Sequence, residues 1–179
     1  MSTPTVNIEA AVHLTDSKPP WYVLMFPKAA LKSFDFKGNL RRVVCSLNGG
    51  ESYHCAVFPA GDNYFITLNK STRTKLGVEP GDVVQIRITK DASEFGLPMP
   101  EEFAEVLKQD PDGDRLFRAL NPGDQRLMLK LIEFNKTVDK RIIRSLTGIE
   151  LLKQNGGKFD YHTQHAGMRL ACSFNPERE

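Results

Sequence analysis

Apolar residues occupy every second position from Thr5 to Leu14 (Val6, Ile8, Ala10, Val12, Leu14), the period of a strand with one buried face. The polar, proline-ended run Thr15 to Pro20 stops it, because prolines carry no N–H for a ladder and the polar residues favour a turn. A second apolar run, Trp21 to Phe26, reaches Pro27. Val43 to Leu47 and Tyr53 to Phe58 flank Asn48-Gly49-Gly50, residues that adopt positive φ at little cost, which predicts a tight hairpin. If that loop is Gly49 to Glu51, Cys45 and Cys55 face one another. Tyr64 to Leu68 and Val83 to Ile88 complete six closely spaced strands, the pattern of a small barrel or sandwich.

The texture changes at Ala92. Residues 93–100 read as a proline-punctuated linker, and beyond Pro100 the apolar spacing becomes helical. Phe103, Val106 and Leu107 mark a first helix, and Asp110-Pro111-Asp112-Gly113 stops it. Leu116, Phe117 and Leu120 mark a second; Asn121 caps a third with Leu127, Met128, Leu131 and Ile132 on one face. A fourth runs from about Thr137 to Gln154, with Val138, Ile142, Leu146 and Ile149 as its expected buried stripe and Gly148 as a weak point. Residues 158–179 show no apolar period and read as a tail. The expected organisation is a barrel domain over 1–92, a linker over 93–100, a helical domain over 101–157 and a tail over 158–179.

Tyr22 to Phe34 overlays Tyr64 to Leu76 without a gap, placing Tyr22 on Tyr64, Leu24 on Ile66, Lys28 on Lys70 and Phe34 on Leu76. Val43-Cys45-Leu47 and Val84-Ile86-Ile88 follow at nearly equal distances. The overlay predicts a pseudo-twofold barrel, each half pairing its strands with the other. Leu68 to Val84 (LNKSTRTKLGVEPGDVV) reads as strand, short helix, Gly77 at the helix end and a Pro80-Gly81 turn. This stretch resembles the hinge-helix signature of the AbrB/MazE/SpoVT transition-state-regulator superfamily, whose swapped-hairpin barrels bind DNA. Residues 5–92 look closer still to a bacterial domain of unknown function with an AbrB-like or double-psi barrel. Residues 98 to about 156 look like the helical domain of the bacteriocin-protection, YdeI or OmpD-associated family. That family's Lys, acid, Thr, Arg, two variable residues, Arg motif appears as Lys136-Thr137-Val138-Asp139-Lys140-Arg141-Ile142-Ile143-Arg144, with Lys140 where Thr is usual. The fold class implied is α+β, an AbrB-like barrel with an internal repeat followed by a small helical domain.

Charge alters this picture little. Twenty-four Lys and Arg against 22 Asp and Glu leave +2 overall, without the basic excess of a nucleic-acid coat. Residues 1–92 hold 11 basic and 8 acidic residues, a net of 3 positive charges, modest for a DNA binder. Three cysteines suit a reducing compartment, and no apolar run approaches a membrane span, so a cytoplasmic protein is expected.

Two basic sets are candidates for holding phosphates or an acidic partner. Lys70, Arg73 and Lys75 lie on the second hinge helix, where they serve equally as solubilising charges on a barrel rim. Lys136, Lys140 and Arg144 stack at a spacing of four, with Arg141 beside them, or form a solvated face. His162, His165 and Cys172 with Asp160 have partial zinc-ligand character, but a tail lacks the rigidity of such a shell and no metal is expected. No nucleophile elbow, phosphate-cradling glycine loop or metalloprotease motif appears, and His13 and His54 stand in strands without motif partners. The expectation is a noncatalytic interaction or stress- and bacteriocin-tolerance protein with a protein or small-ligand partner, no cofactor, and at most weak nucleic-acid binding. An AbrB-like DNA-binding regulator is the alternative, and an enzyme whose site is assembled only in space is the third reading.

Overall fold

The six expected runs become seven strands, because the Tyr53 to Phe58 run divides at Val57: β1 (Thr5–Leu14), β2 (Tyr22–Pro27), β3 (Arg42–Leu47), β4 (Tyr53–Ala56), β5 (Phe58–Ala60), β6 (Asn63–Thr67) and β7 (Val83–Lys90). The computed structural model describes residues 3–36 and 41–173, and the chain separates into two units, 1–92 and 93–179. The strands form one antiparallel sheet in the order β4-β3-β7-β1-β2-β6-β5. Its two edges, β4 and β5, are consecutive in the chain with only Val57 between them. The sheet therefore curls until its edges meet, and residues 53–60 act as one bent strand closing a nearly complete barrel. Alternation sends Val12, Leu24, Phe26, Cys45, Ile66, Ile86 and Ile88 inward, where Phe34 joins them. A short 3-10 helix (Lys28–Phe34) follows β2 and helix α1 (Lys70–Leu76) follows β6.

The register has the symmetry that the overlay requires. In β2–β6 the partners Leu24 and Ile66 are 42 apart, which is also the offset from Tyr22 to Tyr64. In β3–β7 the partners Ser46 and Arg87 are 41 apart, the offset from Val43 to Val84. An offset of 45 carries β1 onto residues 50–59 and Val12 onto Val57. Val12 N–H donates to Asp82 O and Val57 N–H to Arg41 O, both at 2.8 Å, and Arg41 and Asp82 are again 41 apart. A twofold operation on the pairing thus exchanges residues 5–47 with 50–88. The offset falls from 45 to 42 across the first turn, so the loop over residues 15–21 is three residues longer than its counterpart, Ala60 to Asn63, which turns at Gly61-Asp62.

The β3–β4 loop is centred on Gly49 rather than Gly50. Asn48 and Gly49 take φ of 48° and 73°, Gly50 N–H donates to Leu47 O at 2.9 Å, and Cys45 pairs with Tyr53 while Cys55 pairs with Val43. The cysteines are diagonal neighbours, with Sγ atoms 3.4 Å apart and no disulfide. The Cys55 contact and burial push the Cys45 thiol far up, away from the reactive thiolate.

The second unit contains α2 (Glu101–Gln109), α3 (Pro111–Ala119), α4 (Pro122–Glu133), α5 (Val138–Gln154) and α6 (Tyr161–Ser173). Asp110 caps α3 through Gly113 N–H, and Asn121 caps α4 through Gly123 and Asp124 N–H. Phe103, Phe117, Met128, Ile132, Ile149 and Met168 form the core, joined by Phe95 and Leu97 from the segment read as a linker.

Two expectations for this unit fail. Val138, Ile142 and Leu146 are not the buried stripe: Val138 is 53% and Leu146 55% exposed, and α5 instead turns Arg144, Ser145, Gly148, Ile149 and Leu152 inward. Gly148 is the reason. A Cβ there would lie 2.5 Å from Met168 Cε and 2.9 Å from Met128 Cε, so its missing side chain makes room for α6 and α4. The expected tail is likewise helical over Tyr161–Ser173, with Met168 and Gln164 buried and Gln164 Nε2 donating to Gly148 O at 3.2 Å. Residues 174–179 lie outside the described residues. Among the described residues no helix is long and apolar enough to cross a membrane.

Candidate functional site

The loop over residues 15–21 is locked by its own polar groups. Thr15 N–H donates to Trp21 O at 2.9 Å and Trp21 N–H to Thr15 Oγ1 at 2.8 Å. Thr15 and Ser17 hydroxyls lie 2.7 Å apart, and Ser17 Oγ donates to Pro19 O at 3.0 Å. Trp21 is consequently held outward, 56% exposed, beside two prolines. Opposite stands α1, begun by Asn69, whose side chain accepts from Thr72 N–H at 2.8 Å, and ended by Gly77 at φ 65°.

Between loop and helix lies a groove of about 440 Å³ walled by Pro19, Pro20, Trp21, Tyr22, Leu68, Lys70 and Arg73. The Arg73 guanidinium sits 4.0 Å from the Tyr22 ring centre. Its Nη1 donates to Glu79 at 3.0 Å, and its buried Nε has no hydrogen-bond partner among the described residues. The counterpart place is built differently. Tyr64 lies under Lys28 at 5.7 Å and Arg41 at 5.6 Å, Leu31 stands at the position of Arg73 and is 3% exposed, and the short Gly61-Asp62 turn replaces the Pro-Pro-Trp loop.

Of the barrel candidates, Lys70 and Arg73 reach this groove and Lys75, also exposed, is not part of its wall. The helical candidates separate. Lys136 precedes the Thr137 cap of α5 and Lys140 is exposed on its first turn. Arg141 donates to Lys136 O at 2.9 Å and Asn135 O at 3.3 Å, and pairs with Glu102 at 2.5 Å. That pairing holds the Glu102 carboxyl below its ordinary range and raises Arg141. Arg144, 4% exposed, donates to Leu131 O and lies 5.5 Å from the Phe134 ring centre. With its carboxamide turned to satisfy both groups, Asn135 accepts from Arg144 Nε at 2.5 Å and Nη2 at 3.3 Å. The two arginines thus hold the α4–α5 connection, satisfying carbonyls at the end of α4.

Sequence reasoning missed Pro19, Pro20, Trp21 and Tyr22 as site residues. The overlay contained the signal, since Trp21 and Arg73 fall on Asn63 and Leu31, but reading it requires knowing that the loop and α1 meet. His54 Nδ1 stands 2.9 Å from Asp91 Oδ2, whose side chain is buried, a pair joining β4 to the end of the barrel unit from 37 residues away. In the C-terminal helix Asp160 caps Thr163 N–H at 2.8 Å and Tyr161 stacks on His165 at 5.7 Å. No group of three His, Cys, Asp or Glu converges there or elsewhere among the described residues.

A larger hollow, about 720 Å³, opens in the helical unit beside Val106, Leu146, Ile149 and Leu151, with Asp110 and Glu150 among its walls. These two carboxylates lie on it, whereas among the described residues the barrel groove is lined by Lys70 and Arg73 and by no carboxylate.

These two units coincide with two family matches. Residues 9–88 match the model of a domain of unknown function, DUF1905. Residues 97–155 match that of the bacteriocin-protection, YdeI or OmpD-associated family. The chain is a two-domain protein. No curated protein matches it.

Proposed function

We propose that this is a noncatalytic, cytoplasmic bacterial binding protein, in which an AbrB-like or double-psi-type barrel holds a ligand in the groove between the 15–21 loop and α1. The helical domain ties that binding to bacteriocin or stress tolerance, a role suggested by the description of the family it matches. One observation carries the reading. Two differences between the barrel's halves, the lengthened loop with its exposed Trp21 and Arg73 in place of Leu31, meet at a single groove. Changes that serve folding alone have no reason to converge, whereas a binding site needs an apolar anchor and a charge side by side. Fold by itself assigns no activity, so the weight rests on this wall.

Amide-resolved NMR of the full chain, screened with a mixed fragment set, tests the proposal. Shifts gathered at residues 21–22 and 67–73 support it; shifts confined to the helical hollow at Val106 and Leu146 overturn it.

A further inference from the structure

We infer that the groove's ligand is a small aromatic carboxylate, its ring against Trp21 and the proline wall and its acid group toward Lys70 and Arg73. The inference rests on the groove being the binding seat and names what fills it. Three features of the wall select this chemistry.

First, the floor is apolar and stiff. Pro19 and Pro20 have fixed φ, Tyr22 is pinned under Arg73, and Trp21 is held at both its N–H and C=O by Thr15. A flat ring gains stacking and dispersion contact there without ordering a flexible wall.

Second, the charge is unbalanced. The wall includes Lys70 and Arg73 and no Asp or Glu. Glu79 accepts from Arg73 Nη1, leaving Nη2 without a hydrogen bond among the described residues; Lys70 likewise has no ion-pair partner among them. An anion supplies the missing acceptor, and a carboxylate matches the planar guanidinium edge.

Third, the size suits a small molecule. A groove of about 440 Å³ falls within the usual range for small-ligand sites, and the tight Gly61-Asp62 turn leaves no matching Pro-Pro-Trp wall in the other half. One ligand per chain follows.

Trp21 is the chain's only tryptophan, so its emission reports on the groove alone. The full-length protein is titrated with hydrocinnamate, with hydrocinnamide as the neutral isostere, and with the peptide Ala-Ala-Phe bearing a free carboxylate. The expected result is a saturable change with hydrocinnamate, one bound per chain, with affinity about tenfold lower for the amide and about tenfold lower in Lys70→Gln. Lys70 is exposed, so that variant keeps the fold; Arg73→Lys, which keeps charge but loses the flat stack on Tyr22, weakens binding as well. Equal response to acid and amide, or tight binding of the peptide alone, overturns the small-carboxylate assignment while leaving the groove as the seat. No response of Trp21 to any of the three, with fragment shifts confined to the helical hollow, overturns both.

Discussion

Leu24 and Ile66 stand opposite each other in the β2–β6 pairing, fully buried, and they are also the residues that coincide when the two halves of the barrel sequence are overlaid. Only a pair at the centre of a twofold exchange satisfies both conditions. Cationic side chains cross between the halves in both directions, although from inequivalent positions: Arg73, from the helix after β6, covers Tyr22 of β2, and Lys28, from the helix after β2, covers Tyr64 of β6. Each half thus pairs with the other within one chain.

The barrel unit is therefore expected to fold without a partner. A chain ending at Ala92 keeps both halves and the His54–Asp91 contact. Light scattering should find a folded monomer. An obligate dimer that unfolds on dilution would show that closure needs a second copy.

The C-terminal helix is part of the helical core. Met168 has no solvent exposure and fills the space left at Gly148, so Met168→Ala should cost about 3 kcal/mol, within the range for emptying a core site of this size. Removal of residues 158–179 should lower the melting temperature of the helical unit further still. An unchanged transition in calorimetry would contradict this packing.

The strand-forming runs, the hairpin between Leu47 and Tyr53 and the duplication were legible in the sequence because each rests on local period or turn chemistry; the division of the Tyr53 to Phe58 run at Val57 was not, because closure of the barrel sets that break. Nor was the face of α5. Val138, Ile142 and Leu146 form a regular apolar stripe, yet the side that packs is chosen by Gly148, which admits Met168, and by Arg144, which reaches Leu131 O at the end of α4. Tertiary contact overrode hydrophobic spacing. The same limit hid the groove: Lys70 and Arg73 stood out as charges, but Trp21 gained meaning only when the 15–21 loop was placed beside α1.

The Glu102–Arg141 pair predicts an acid-sensitive contact. Hydrogen bonding from Arg141 holds Glu102 below the ordinary carboxylate range, so its contribution is complete above the unfolded value near pH ~4.3 and is lost as pH falls through the lower folded value. Glu102→Gln should lower the urea midpoint at neutral pH, and the difference from the parent chain should shrink below about pH 4. A constant difference across that range would show that the charge is irrelevant.

Sequence-specific DNA binding is not expected. Arg73 is engaged by Tyr22 and Glu79, Lys28 and Arg41 lie over Tyr64, and Leu31 replaces Arg73 in the other half, so a palindromic site would meet unlike surfaces. Fluorescence anisotropy at about 150 mM salt should show weak, salt-sensitive association at most. Submicromolar, sequence-selective binding that Arg73→Ala reduces would favour a regulator.

The central claim is that the barrel's asymmetry serves ligand binding and is not needed for folding. A symmetrised chain tests it: the 15–21 loop shortened by three residues to the four-residue Ala-Gly-Asp-Asn form of its counterpart, together with Arg73→Leu. The deciding measurement is thermal unfolding followed by circular dichroism. The account predicts a cooperative transition within about 4 °C of the parent, since surface changes of this kind cost roughly 1 kcal/mol or less. Loss of that transition would mean that Trp21 and Arg73 hold the barrel together, and the groove would be a by-product of its folding.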